Sequence, residues 1–99
     1  MNSCSLAFMS LALDEAKKAY ALDEVPVGAV IVKNGNVISA SFNQVVSQHS
    51  VASHAEINAI LMAGQKLKNY RLVGCDMYVT LEPCHMCAKA IVDARIDNV

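Results

Sequence analysis

The chain has 99 residues, of which 55% are hydrophobic, and its 8 Lys and Arg against 9 Asp and Glu give a formal net charge of −1. This length holds at most one domain, and the charge excludes a global field that would draw the chain to nucleic acid. The hydrophobic share exceeds the roughly 45–50% usual for soluble domains, so we expect exposed apolar surface unless a partner covers it or part of the fold is missing.

The first predicted element is an amphipathic helix. Its expected apolar face carries Met9, Leu13, Ala16 and Tyr20 at helical spacing, with Ala12 and Ala19 beside them. Pro26 has no N–H and restricts the residue before it, so the helix is expected to end near Asp23-Glu24. The apolar residues 6–13 follow no Lys or Arg, so they do not read as a signal peptide, and they are too few to span a membrane.

A β-hairpin is predicted next. Residues 27–32 are apolar without alternation, which is typical of a central strand covered on both faces. Asn34-Gly35 supplies the positive φ angles of a tight turn, and residues 37–42 form the returning strand.

The second helix is expected to begin with Ser53 as its N-cap and to run to Gly64. Its buried stripe is expected at Ile57, Ile60 and Leu61. The helix follows the polar, irregular residues 43–52.

A third strand at residues 76–80 leads through a turn at Pro83 into a third helix that begins at Cys84 and buries Ile91. Residues 95–99 are expected to connect to a fourth strand. The order helix, hairpin, helix, strand, helix predicts a layered α/β fold. In such a fold the N-termini of the second and third helices lie at the carboxyl ends of strands, where open α/β sheets hold their sites.

Cys84 and Cys87 lie three residues apart, so they share one face of the third helix. The partial positive charge at a helix N-terminus favours their thiolate forms, which bind soft metals. His54, about thirty residues upstream, supplies a nitrogen ligand. A set of one His and two Cys leaves one position of a tetrahedral zinc ion open, as catalytic zinc sites do.

Glu56 has two possible roles. Ser53-x-x-Glu56 fits a capping box, in which the carboxylate bonds back to the Ser53 N–H. The alternative is a proton carrier beside the water at the open zinc position. The cysteine pair favours the second role, since the two roles need different directions of the carboxylate.

His54-Ala55-Glu56 followed by Pro83-Cys84-His85-Met86-Cys87 resembles the zinc-dependent nucleobase deaminase superfamily. Within it, the segment from Thr80 to Cys87 is most similar to the bacterial-type tRNA-specific adenosine deaminases. The resemblance runs from about Met9 to the last residue.

The resemblance implies a three-layer α/β/α deaminase-like fold with a mixed sheet. It further implies that residues 1–99 form one deaminase-type domain that lacks its last strands and helices.

The same resemblance implies one Zn²⁺ per chain on His54, Cys84 and Cys87, with Glu56 as the catalytic acid–base. It also implies substrate contacts from Asn43, from Val27 on the pocket wall and from the N–H of Ala55.

The implied reaction is hydrolytic deamination of adenosine to inosine at the wobble position of tRNA, so the expected partner is a tRNA anticodon stem-loop. The runner-up is a deaminase of a free base, nucleoside or nucleotide such as cytosine, guanine or dCMP. The resemblance also implies a homodimer, with which the high apolar content agrees.

Two hypotheses from other classes remain. Cys84-x-x-Cys87 at a helix start is also typical of a thiol–disulfide redox pair, and a structural zinc module is a third possibility. The redox hypothesis gives no role to His54 or Glu56. Four cysteines without a secretion signal indicate a reducing compartment, so we expect a cytoplasmic protein that has no membrane partner.

Overall fold

The computed structural model describes residues 3–99, with side chains from residue 5 onward. The elements in chain order are α1 (Ser3–Ala21), β1 (Gly28–Lys33), β2 (Asn36–Phe42), α2 (Ala55–Leu67), β3 (Cys75–Val79) and α3 (His85–Asp93). This is the predicted order of helix, hairpin, helix, strand and helix. Within the described residues, no helix is both long enough and apolar enough to cross a membrane.

The sheet has the strand order β2-β1-β3, with β1 in the centre and antiparallel to both neighbours. Gly28 at the start of β1 pairs with Phe42 at the end of β2, and Ala29 pairs with Val79 at the end of β3. The two outer strands therefore end at the same edge of the sheet. A parallel bridge between Asp76 and Asn98 lies on the far side of β3, so the pairing is mixed.

The hairpin turn is formed as predicted. Asn34 and Gly35 have φ angles of 53° and 76°, the positive values that a two-residue hairpin turn of the primed type needs. Because β1 is buried along almost its whole length, its continuous apolar sequence reflects cover on both faces.

Helices cover the two faces of the sheet. On one face, α1 packs Ala12 against Val30 and Val32. On the other face, Ala29 and Ile31 of β1 share a core with residues of α2 and α3: Ala55, Ala59, Ala63 and Ile91. The predicted three-layer α/β/α arrangement is confirmed.

The predicted buried face of α1 was wrong in part. Ala12, Ala16 and Ala19 are buried, whereas Leu13 and Tyr20 are 51% and 74% exposed. The reason is the close approach of α1 to Gly28: a Cβ at Gly28 would overlap the carbonyl oxygen of Ala12 and lie 2.6 Å from the Ala16 nitrogen. At this distance, only the face of α1 that carries alanines fits against the strand.

The predictions for α2 also need correction. The helix runs past Gly64 to Leu67, and its buried residues are Ala55, Glu56, Ala59 and Ala63. Leu61, predicted to be in the core, is 59% exposed. As in α1, the buried apolar residues of the helix are alanines, while Ile60, also predicted to be in the core, packs against it only partly buried. This leaves large apolar side chains on the outside of both helices.

Candidate active site

The donor residues of the predicted metal site lie at the N-termini of two helices at one edge of the sheet. His54 is the residue immediately before α2, and Cys84 is the residue immediately before α3. Both have extended backbone angles, and neither side chain caps its helix. Because β2 and β3 end at the same edge, the two helix starts that follow them converge there.

His54, Cys84 and Cys87 form the expected cluster. The Nδ1 atom of His54 lies 3.6 Å from the Cys84 sulfur and 3.4 Å from the Cys87 sulfur. All three donor atoms lie within 4.8 Å of one another. A tetrahedral zinc ion, with bonds of about 2.3 Å to sulfur and about 2.05 Å to nitrogen, separates such atoms by about 3.6 Å. The donor set therefore fits zinc in both chemistry and spacing.

The two thiols differ in their protonation. The pKa of Cys84 is lowered, chiefly because its sulfur accepts a hydrogen bond from the Cys87 backbone N–H. The pKa of Cys87 is raised, first by burial and then by the negative charge of Glu56. The direction of the shift agrees with the expected preference for the thiolate at Cys84 and opposes it at Cys87, where burial outweighs the helix terminus. A bound cation would favour the thiolate at both residues, since coordination deprotonates a thiol.

Glu56 lies in the first turn of α2 and points to the metal cluster. Its side chain is 4% exposed, and its negative charge is one of the causes that raise the pKa of Cys87. The prediction that Ser53 is the N-cap was wrong, because His54 holds that position and the Ser53 hydroxyl bonds to Asn58 Oδ1 at 3.1 Å. No capping box therefore competes for the Glu56 carboxylate.

A cavity of about 410 Å³ opens beside these residues. Val27, Asn43, His54, Glu56 and Cys84 line it. The remaining lining residues are Asp23, Glu24, Val25, Val45, Val46, Leu81 and Glu82. The wall thus combines apolar side chains, four of them valines, with polar groups, and such a cavity suits a flat, uncharged ring held by a few polar contacts.

The predicted substrate contacts lie at this cavity to different degrees. Val27 and Asn43 line it, and the Asn43 backbone N–H donates to the Val27 carbonyl at 3.1 Å. Ala55 is fully buried between His54 and Glu56, and its contact with a substrate stays a prediction. A larger groove of about 590 Å³ runs along the open side of β3 but contains no donor of the metal cluster.

Sequence reasoning missed two polar residues: Glu24, which lines the cavity, and Asn58, which holds together the two ends of the loop that carries Val45 and Val46. The Asn58 side-chain amide donates to the carbonyls of Phe42 and Ser53 at 3.0 and 3.3 Å. The Glu24 carboxylate accepts two backbone N–H groups of the segment that follows Asn43. A polar residue inside the apolar pattern of α2 was a usable signal for Asn58, whereas no local pattern identifies Glu24.

Replacing Cys87 with serine is expected to reduce bound zinc from about one per chain to nearly none. A serine hydroxyl stays protonated at neutral pH and cannot replace a thiolate ligand. Metal content after dialysis, measured by plasma mass spectrometry, checks this. Cys75→Ala is the matched control, because Cys75 is a buried free thiol of β3 outside the cluster. Zinc retained in Cys87→Ser, or lost in Cys75→Ala, would contradict the assignment.

Comparison with known proteins agrees with this geometry. Residues 2–99 match the family defined as the cytidine and deoxycytidylate deaminase zinc-binding region. The tRNA-specific adenosine deaminase of Aquifex aeolicus is 49% identical over 92 residues, covering 93% of this chain and 61% of the relative. The corresponding enzyme of Agrobacterium fabrum is 55% identical over 89 residues, covering 90% of this chain and 59% of the relative. This chain thus spans less than two thirds of the length of either relative.

Two solved structures have the same fold over most of this chain. A structure from studies of A-to-I editing by tRNA:A34 deaminases at the wobble position of transfer RNA is 54% identical with a TM-score of 0.90, covering 92% of this chain and 66% of that chain. The guanine deaminase of Bacillus subtilis is 37% identical with a TM-score of 0.92, covering 100% of this chain and 62% of that chain. The chain therefore belongs to the zinc-binding family of cytidine and deoxycytidylate deaminases, as its His-Ala-Glu and cysteine motifs predicted.

Proposed function

We propose that the protein catalyses zinc-dependent hydrolytic deamination of adenosine to inosine, at the wobble position of tRNA. The observation that carries the reaction type is the buried carboxylate of Glu56 beside a donor set of one imidazole and two thiols, at the wall of an open cavity. The choice of substrate rests on the relatives, which are tRNA-specific adenosine deaminases at 49% and 55% identity.

The proposed cofactor is one zinc ion on His54, Cys84 and Cys87. Zinc in such a site acts as a Lewis acid and lowers the pKa of water from 15.7 to about 7. A zinc ion held by these three donors would have one coordination position left for that water. His54 and Cys84 both line the cavity, so a substrate in the cavity would lie beside the ion.

Glu56 is the proposed acid–base group. Its carboxylate takes a proton from the water that attacks the ring carbon bearing the exocyclic amine. It passes that proton to the adjacent ring nitrogen. It then takes the proton of the hydroxyl now bonded to the ring carbon and gives it to the exocyclic amino group, which leaves as ammonia. Burial in the first turn of α2 holds the carboxylate in one place throughout, so that one group serves every transfer.

Val27 and Asn43 are the proposed substrate contacts at the cavity wall. Val27 presents an apolar surface on which a base packs, and the Asn43 amide offers both a donor and an acceptor to its polar edge. The N–H of Ala55 is proposed as a third contact. Uncharged bases bind through such packing and edge hydrogen bonds.

A second candidate is deamination of a free base. The specific observation in its favour is the TM-score of 0.92 to the guanine deaminase of Bacillus subtilis over the whole chain. The lower identity to that enzyme, 37% against 54% for the tRNA:A34 deaminase structure, ranks it second. Both candidates use the same metal and the same carboxylate.

Ammonia release from a panel of substrates tests the choice. The panel contains a tRNA anticodon stem-loop with adenosine at the wobble position, the same stem-loop with guanosine there, and free guanine, cytosine, dCMP and adenosine. We expect ammonia and inosine from the first stem-loop alone. Ammonia from a free base or nucleotide replaces the proposal with the second candidate. Zinc-loaded protein that releases ammonia from no substrate contradicts both, and thiol–disulfide exchange that survives Glu56→Ala would favour the redox hypothesis.

We further propose that the protein is cytoplasmic and acts as a homodimer. The free thiols of Cys75, Cys84 and Cys87 agree with a reducing compartment. Large apolar side chains on the outside of α2, Leu61 at 59% and Met62 at 47% exposure, agree with a covered surface in a dimer. Light scattering coupled to gel filtration is expected to give twice the chain mass, and a monomer at micromolar concentration would contradict the dimer.

A further inference from the structure

One wall of the cavity is a single turn formed by residues 44–50, which we call the rim turn. Its internal backbone hydrogen bonds run from Gln48 N–H to the Gln44 carbonyl at 2.9 Å, from His49 N–H to the Val46 carbonyl at 3.2 Å and from Ser50 N–H to the Val45 carbonyl at 3.1 Å. Val45 and Val46 line the cavity, yet Val46 is 67% exposed. Apolar burial therefore does little to hold the rim turn in place, and another contact has to do so.

Glu24 provides that contact. Its carboxylate accepts the backbone N–H of Val46 at 3.0 Å and the N–H of Ser47 at 2.8 Å. These are N–H groups at the start of a turn, which have no partner within the turn itself. A carboxylate from 22 residues upstream thus caps the turn as an N-cap side chain caps a helix. The pKa of Glu24 is lowered, chiefly by the Val46 N–H, so it is ionised at neutral pH.

The Glu24 backbone is itself fixed to the end of α1. Its N–H donates to the Ala19 carbonyl at 2.9 Å, and Asp23 before it takes the left-handed φ of 59° that ends the helix. Ala19 is fully buried under the sheet. The Glu24 side chain is 5% exposed and itself lines the cavity. The carboxylate is therefore presented to the rim turn from a rigid part of the fold.

The two ends of the loop between β2 and α2, residues 43–54, are held together by other contacts. The Gln44 N–H donates to the Ser53 carbonyl at 2.8 Å, and Asn58 bridges Phe42 and Ser53. The Gln44 side chain, at the start of the rim turn, also accepts a hydrogen bond from Asn58 at 3.5 Å. For the rest of the rim turn, residues 45–50, the hydrogen bonds that the structure describes to residues outside 43–54 end on Glu24 alone. Loss of the Glu24 charge therefore frees the rim turn, while the two ends of the loop stay joined.

We propose that Glu24 is a positioning residue, whose carboxylate holds the rim turn so that Val45 and Val46 form the cavity wall against which the base packs. This inference rests on the proposed function for its substrate, but not for the contact itself. A wall that touches the base equally in the ground state and the transition state contributes to KM rather than to kcat. Substitution of a residue needed only for folding has the opposite effect, because it lowers the fraction of active protein and hence the apparent kcat, at unchanged KM.

The test is Glu24→Gln, which keeps the side-chain volume but offers one acceptor to two N–H donors. We expect faster amide exchange at Val46 and Ser47 than in the wild type, measured by NMR. The KM for the adenosine-containing anticodon stem-loop is expected to rise roughly tenfold or more, since small displacements of binding groups cost up to about a hundredfold. The kcat is expected to stay within about twofold.

Asp93→Asn is the matched control, because it makes the same charge change at an exposed residue of α3 that pairs with Lys89. It is expected to leave amide exchange, KM and kcat unchanged. A fall in kcat at constant KM in Glu24→Gln would show a folding role and overturn the proposal, as would unchanged exchange at Val46 and Ser47.

A binding measurement separates this inference from the proposed function. In a Glu56→Gln background, anisotropy of the labelled stem-loop reports its Kd without turnover, and adding Glu24→Gln is expected to raise that Kd about tenfold. Unchanged Kd overturns the positioning role. If the wild type deaminates nothing in the panel, the proposed function fails, and exchange at Val46 and Ser47 alone then decides whether Glu24 holds the rim turn.

Discussion

Glu56→Gln is expected to lower the kcat for deamination of the anticodon stem-loop by roughly 10²- to 10⁴-fold, the usual contribution of a positioned acid–base group. Glutamine keeps the size of the side chain but neither accepts nor returns a proton. Single-turnover assays of inosine formation measure the effect on chemistry without a contribution from product release.

Zinc content and melting temperature control this experiment. Because Glu56 is not one of the three donors, Glu56→Gln is expected to keep about one zinc per chain. Asp14→Asn makes the same charge change on an exposed part of α1 and is expected to be fully active. Normal turnover by zinc-loaded Glu56→Gln would end the assignment of Glu56 as the proton carrier.

Gly28→Ala is expected to lower the free energy of unfolding by about 3 kcal/mol or more, the upper range for an overpacked core. The added Cβ would overlap the carbonyl oxygen of Ala12 and lie 2.6 Å from the Ala16 nitrogen. Both are backbone atoms of α1, so no side chain can rotate away, and the helix has to move off the sheet. Urea denaturation measures the loss.

Gly64→Ala is the matched control for this substitution. Gly64 lies inside α2, and the nearest atom to an added Cβ is the Asn69 carbonyl oxygen at 3.4 Å, an ordinary contact. Alanine in a helix interior is more stable than glycine by about 0.5–1 kcal/mol. The control is therefore expected to gain stability. Equal losses at both glycines would contradict the close approach of α1 to β1.

The metal cluster was predictable from sequence because its parts are short local signals. Two cysteines at the start of a helix and a histidine at the start of another have few uses together. Their convergence followed from strand order, since β2 and β3 both end beside the start of β1. The turn at Asn34-Gly35 was likewise predictable from two residues, because few other dipeptides take two positive φ angles.

Helix faces were less predictable. Leu13, Tyr20 and Leu61 are larger and more apolar than the alanines that the structure buries instead. Hydrophobic periodicity predicts that the larger apolar side chains are buried. In the structure, the short distance between α1 and β1 at Gly28 allows only small side chains between them. That distance depends on how the helix and the sheet pack together, so it cannot be predicted from the sequence of α1 or of β1 alone.

The contacts of Glu24 were not predictable for a related reason. Val46 and Ser47 lie 22 and 23 residues after it, and nothing in the intervening sequence marks the pair. The prediction of Ser53 as an N-cap was wrong for a different reason, because Ser-x-x-Glu fits both a capping box and a Glu56 that faces the metal cluster. The Ser53 hydroxyl instead donates to Asn58, whose side chain also binds the Phe42 carbonyl and so closes the loop between β2 and α2.

The placement of the donors on two separate strand-to-helix connections has a thermodynamic consequence. His54 and Cys84 are 30 residues apart, so an ion held by both acts as a removable cross-link between α2 and α3. The unfolded chain does not bring these donors together, so by linkage each tenfold rise in free zinc above the dissociation constant adds about 1.4 kcal/mol to stability. The melting temperature of this protein should therefore track the zinc supply of its surroundings.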